Sequence, residues 1–222
     1  MMKILGINSS PRHKNSRTLK LVQAVLDGAR AQGAETELVD LCALDIDYCI
    51  GCQACFATGE CVQADDLGDL MDKMLSADGI VLGSPVYINS VTAQLKTMID
   101  RMADSIHCQL FSGKYGCAVT TTGGSGEKDV LTYMNYFLNE LGVVTVGEVR
   151  VAPGRDLGAL DPAIDEASTL ETTLAESIQT KRAYPAQEKE IAERRAFFVR
   201  LIEANKEDWA HQYEYWMEKG WM

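Results

Sequence analysis

Residues 49–61 read CIGCQACFATGEC, so Cys49, Cys52, Cys55 and Cys61 fall at C-x2-C-x2-C-x5-C spacing. Thiolates are soft ligands and strong nucleophiles, and four chemistries suit such a run. A compact C-x2-C-x2-C gathers three thiolates about one point, which fits an iron–sulfur cluster. Structural zinc also takes four thiolates, but it favours two separated pairs. A C-x-x-C dithiol would normally open a helix after a strand, leaving the other two cysteines idle. Small, inert buried thiols are the fourth reading, and they are the expectation for Cys42, Cys108 and Cys117. Gly51 and Gly59 would ease the tight turns that the run demands.

Three polar loops offer a different chemistry. NSSPRHKNSRT (8–18) carries the hydroxyls of Ser9, Ser10, Ser16 and Thr18, the cation Arg12, and the start of a helix. Hydroxyls and helix N-terminal amides together make an anion site; the plainer reading is a hydroxyl-rich cap with a solvated arginine. Neither G-x-G-x-x-G nor G-K-[ST] occurs here, so a small terminal phosphate suits the loop better than a dinucleotide or a triphosphate. In GSPVYINSVTAQLK (83–96), Pro85, Val86 and Tyr87 give a stiff, partly apolar edge, and Asn89 and Ser90 sit where a helix cap is expected. In TTTGGSGEKD (120–129), glycines let the backbone lie close to a flat ligand. His13, His107 and His211 are too dispersed to suggest a triad or a metal trio. His13 is expected to face solvent or a phosphate.

The elements that would position these loops alternate. Strands are expected over 3–7, 35–41, 79–83, 114–124 (running into a glycine turn) and 143–151, with helices over 18–33, 65–78, 91–104 and 130–142. Five strands separated by helices predict an α/β fold: a doubly wound five-stranded parallel sheet. Ligands of such sheets sit beyond the carboxyl ends of the strands, where all three loops lie. A compact cysteine-rich insert over 47–64 and a helical C-terminal extension over 162–222 complete one expected domain, 1–222. The tail ends KEDWAHQYEYWMEKGWM, whose aromatics are expected in a core or docking surface, a subunit interface, or contact with a cofactor of a neighbouring subunit.

Composition narrows the function classes. Lys plus Arg is 21 against 32 Asp plus Glu, a net charge of −11 that argues against nucleic acid. No stretch approaches the roughly 18 apolar residues needed to cross a bilayer, so no membrane is expected. The N-terminus reads as a first strand and not as a signal peptide, which predicts a cytoplasmic protein. An odd count of seven cysteines fits a reducing compartment.

With those motifs in view, the chain resembles the iron-sulfur flavoprotein branch of the flavodoxin-like, NADPH-dependent FMN reductase superfamily, well over about residues 3–150 and more loosely in the tail. The family's phosphate loop, G-S-P-R followed by G/S-N-T, stands here as Ser9-Ser10-Pro11-Arg12 and Ser16-Arg17-Thr18. Ser9 replaces the usual glycine and Arg17 the usual asparagine. The resemblance implies that Ser10, Arg12, Ser16 and Thr18 hold the FMN phosphate, while Arg17 adds charge to that phosphate or points to solvent. It places Ser84, Pro85, Val86 and Tyr87 against the isoalloxazine, with Thr121, Thr122, Gly123 and Gly124 as a third wall, and Ile88 and Asn89 are counted with the cofactor-binding residues. It also implies a [4Fe–4S] cluster on Cys49, Cys52, Cys55 and Cys61, and a homodimer or homotetramer in which a cluster faces a partner's flavin.

The leading expectation is therefore an FMN- and [4Fe–4S]-dependent oxidoreductase passing electrons between a ferredoxin-like donor or NAD(P)H and a small acceptor or redox partner. Two alternatives stand beside it. One is an NAD(P)H-dependent FMN or quinone reductase without an occupied cluster. The other is a non-catalytic electron-transfer or redox-sensing flavoprotein.

Overall fold

The computed structural model describes residues 1–154 and 157–222. Among the described residues five strands form: β1 (Lys3–Asn8), β2 (Glu35–Asp40), β3 (Gly79–Pro85), β4 (Tyr115–Thr121) and β5 (Val144–Val151). Their order is β2-β1-β3-β4-β5, and every neighbouring pair is parallel. This is the flavodoxin-like order, whose switch point lies between β1 and β3. β3 and β4 are buried along almost their whole length because helices cover both faces, so they appear in the chain as continuous apolar runs. β2, at the edge, is largely exposed and alternates instead.

Alternate side chains of the strands feed two cores. Leu5, Ile7, Ile80 and Leu82 pack with α3 (Leu67–Ser76), α4 (Ala93–Arg101) and α6 (Glu127–Glu140). Ile4, Val81, Cys117 and Val119 pack with α1 (Arg17–Ala31) and α7 (Leu160–Thr180). Gly83 sets how close α1 comes: a Cβ there would lie 2.4 Å from Val22 Cγ2. The same close approach holds the first turn of α1 against the carboxyl ends of β1 and β3.

The expected tail divides in two. α7 buries Leu160, Ala163, Ala167 and Leu174 against the sheet and α1, as part of the sheet's own helical layer. Its Glu171 is only 2% exposed and packs on Gly28 of α1; Oε2 accepts from Gln32 Nε2 at 3.1 Å, while Oε1 has no partner. Burial pushes this carboxyl above the usual range. A carboxyl whose pKa rises on folding costs nothing below its unfolded value, and its penalty grows as pH climbs toward the folded value. Glu171→Gln is therefore expected to raise the melting temperature by a few degrees at pH 7–8, from about 1–2 kcal/mol of relieved desolvation. Below about pH 4 the gain should vanish, since the carboxyl is then protonated in both states. Thermal melts across that range check it; a gain independent of pH would refute the ionisation argument.

Beyond α7, α8 (Pro185–Ala204) and α9 (Ala210–Glu218) return to the region of the cysteines. A third apolar cluster joins Phe198, Ile202, Trp209 and Trp216 to Cys108, with Phe56 packed against it. The tail aromatics are thus docking core. No distinct cysteine-rich insert emerges over 47–64. That stretch is irregular chain with one short helix, α2 (Ala54–Thr58), whose Phe56 stacks on His107 at 4.7 Å and meets Trp209 at 4.8 Å. The expected insert is absorbed into the body because apolar side chains from α8 and α9 bury its inner face. Among the described residues, no helix is long and apolar enough to cross a membrane.

Candidate functional site

The loop after β1 descends into α1 through Ser16, whose Oγ accepts from Leu19 N at 3.0 Å as an N-cap. Ser9 N and Oγ both donate to the Gly83 carbonyl at 2.9 Å, and Thr92 Oγ1 donates to the Ser9 carbonyl at 2.9 Å. These bonds lock the loop to the end of β3. Thr18 Oγ1 lies 2.7 Å from Thr121 Oγ1, joining the first loop to the third. Beyond Pro85, a tight turn pairs Tyr87 and Ser90 through two backbone bonds, with Ile88 and Asn89 both at positive φ.

These loops enclose a cavity of about 360 Å³ at the β1/β3 switch point, lined by Ser10, Arg12, Ser16, Arg17, Thr18, Pro85, Val86, Tyr87, Thr121, Thr122, Gly123 and Gly154. Eleven of the fifteen residues expected around a flavin are therefore brought to one cavity. The other four lie off it. Ser84 is buried beneath, its Oγ accepting from Thr92 N and its carbonyl from Thr120. Ile88 points to solvent at 97% exposure, Asn89 shares its turn, and Gly124 N donates to Thr122 Oγ1. Gly154, past β5, joins the lining unanticipated; the P-G pair at 153–154 was its only signal. Asn8 was missed as well: it is fully buried at the end of β1, with both amide atoms unpartnered. His13 turns away from the cavity and bonds Asp40 at 2.7 Å.

The site's chemistry fits FMN. Ser10, Ser16 and Thr18 are nearly fully buried hydroxyls beside the N-terminus of α1, where backbone amides and the helix dipole favour an anion. Arg12 and Arg17 add positive charge to a cavity in a protein of net charge −11. Pro85–Tyr87 and Thr121–Gly123, joined where Val86 N donates to the Thr121 carbonyl at 2.9 Å, supply a further stretch of the lining.

The four cysteines behave differently. Arg101, at the end of α4, has a side chain 1% exposed; it donates to Asp65 at 2.6 and 3.2 Å, to the Asp47 carbonyl at 2.8 Å and to Cys61 Sγ at 3.2 Å. Although burial opposes the charge, these bonds hold the Asp65 carboxyl below its usual range. Cys49, Cys52, Cys55 and Cys61 line one open cavity of about 250 Å³. Cys49, Cys52 and Cys61 are exposed, and burial followed by the Asp104 charge pushes Cys55 up to about 11. They do not converge into a ligand set. Among the described residues, the set whose donor atoms all lie within 4.8 Å of one another is Asp104, Cys108 and His211. The expectation of a [4Fe–4S]-bearing electron-transfer oxidoreductase is corrected accordingly: no complete cluster site is formed by the loop cysteines. Spacing counted the thiols, while their placement follows from Arg101 and Phe56 anchoring the loop.

A family model described as NADPH-dependent FMN reductase matches residues 2–156. An iron-sulfur flavoprotein of Archaeoglobus fulgidus is 36% identical over 225 residues, covering 100% of both chains. Among solved structures, a flavone reductase superposes with a TM-score of 0.66 at 22% identity, covering 80% of this chain and 63% of its own. An NADH:FMN oxidoreductase does so at 0.59 and 23%, covering 85% and 94%. At that level of identity, the two structures speak for the fold.

Proposed function

Because the chain belongs to the NADPH-dependent FMN reductase family, we propose that it is an FMN-dependent oxidoreductase in which NAD(P)H reduces a small acceptor such as a quinone or a free flavin. The observation that carries this reading is the cavity at the β1/β3 switch point, where buried hydroxyls and arginines meet Pro85–Tyr87 and Thr121–Gly123.

FMN, when bound, supplies hydride acceptance and release. The residues supply everything else. Ser10, Ser16 and Thr18, with the first amides of α1, bind the terminal phosphate, and Arg12 and Arg17 offset its charge. The Thr18–Thr121 hydroxyl bond keeps the phosphate loop in register with Thr121–Gly123. Pro85 restricts its stretch of backbone, so Val86 and Tyr87 shield one side of the cavity from water. Tyr87 remains 43% exposed at the mouth, which leaves a path for a second substrate. The site offers no side-chain acid–base pair, in keeping with a reaction whose chemistry resides in the cofactor.

The test is direct. Protein loaded with FMN should oxidise NADPH or NADH steadily with a soluble quinone as acceptor. Failure to bind FMN would overturn the reading. Reduction of bound FMN without turnover of any acceptor would favour a non-catalytic electron carrier instead.

A further inference from the structure

We infer that Asp104, Cys108 and His211 form a site for a single divalent transition-metal ion of the zinc class, which ties α9 to the body of the fold. Asp104 and Cys108 stand one turn apart at α5 (Ala103–His107) and its C-cap, so they share a face. His211 arrives from α9. Asp104 Oδ2 lies 3.7 Å from His211 Nε2, and Asp104 Oδ1 lies 3.9 Å from Cys108 Sγ.

Those separations are the crux. At 3.7 Å a nitrogen–oxygen pair is too long for a hydrogen bond. Donors placed about 2.0–2.3 Å from one tetrahedral ion stand about 3.5 Å apart. The three groups converge without bonding one another well, with one donor atom from each within 4.8 Å of the others, close enough for side-chain rotation to bring all three onto one ion. Nitrogen, oxygen and sulfur donors together suit zinc better than magnesium or calcium, which prefer oxygen.

The surroundings hold the donors in place. Gln212, fully buried, donates from Nε2 to Asp104 Oδ1 at 2.8 Å, and its Oε1 lies 3.2 Å from His107 Nδ1. Such outer partners orient ligating groups. The His211 ring lies against Gly59, where a Cβ would come within 2.7 Å of Cε1, so the loop's turn fixes the imidazole. Because His211 is partly exposed, water completes the coordination. Binding releases the Cys108 thiol proton to solvent. None of the four loop cysteines is used, and the site is separate from the flavin cavity.

Cobalt(II) is the probe, added to chelator-treated full-length protein in which Cys49, Cys52, Cys55 and Cys61 are replaced by serine to remove competing thiols. The expected result is one cobalt per chain with a thiolate-to-cobalt absorption band, lost in Cys108→Ala and in His211→Gln. In the chain with all cysteines intact, His211→Gln should lower bound zinc by one ion per chain with unchanged circular dichroism, a readout that does not depend on the serine variant folding. No cobalt band in folded protein, a band that survives Cys108→Ala, or an unchanged zinc count in His211→Gln would each overturn the site.

Discussion

Arg101→Met is expected to destabilise the protein by about 3–5 kcal/mol and to open the backbone of residues 47–65 to rapid hydrogen exchange. The guanidinium is out of water, and one cation closes both ends of the cysteine stretch: Asp47 through its carbonyl and Asp65 through a two-pronged carboxylate bond. Asp47 N also donates to Asp65 Oδ2 at 3.0 Å, so the base of the loop is a small polar knot. Removing the cation leaves the Asp65 carboxylate buried without its partner, which accounts for the size of the loss. Arg101→Met combined with Asp65→Leu should recover part of it, because no lone charge then stays behind. Denaturant unfolding and exchange mass spectrometry read both effects. A loss below about 1 kcal/mol, with exchange over 47–65 unchanged, would mean that Phe56 and the tail aromatics hold the loop without the pair.

Ser10→Ala is expected to weaken FMN binding by about 10–100-fold, the equivalent of one hydrogen bond to a charged phosphate. Ser10 is the cleanest choice: it is 2% exposed and lines the cavity, and among the described residues its hydroxyl has only a long 3.4 Å contact from Arg12 N. Ser16 would confuse the result, since its hydroxyl also caps α1 and its loss would cost about 1 kcal/mol of stability. Arg12→Ala should have a smaller effect that fades with added salt, because the side chain is exposed and its charge is screened. Quenching of FMN fluorescence measures the affinities. An unchanged Kd in Ser10→Ala would place the phosphate elsewhere.

Most of the scaffold was legible because its cause is local. GIVLG is apolar without interruption since β3 is covered on both faces, and ETELVD alternates since β2 lies at the edge. The hydroxyl-rich loop after β1 was legible for the same reason: hydroxyls, a proline and a helix start are neighbours in the chain. Contacts across the chain were not. His211 looked isolated among the histidines, yet packing of α9 on α2 sets it beside Asp104 and Gly59. Asn8 carried no signal, because a polar residue ending a strand is ordinary until its burial is known. The cysteine run was read too far. Spacing along a flexible loop says how many thiols are near one another in sequence, but Arg101 and Phe56, which direct them, lie outside the motif or look like filler within it.

The docking of Trp209 and Trp216 near Phe56 also has a consequence in time. A chain grows at roughly 5–20 residues per second and its early parts fold first. The stretch around Phe56 and Cys61 is made long before α9 exists, and about 150 further residues must follow, so roughly 8–30 seconds pass before its aromatic cover arrives. Throughout that interval Phe56 lies open to other sticky chains. A newborn molecule is therefore stickiest around Phe56, and maturation ends when the last helix packs against that ring.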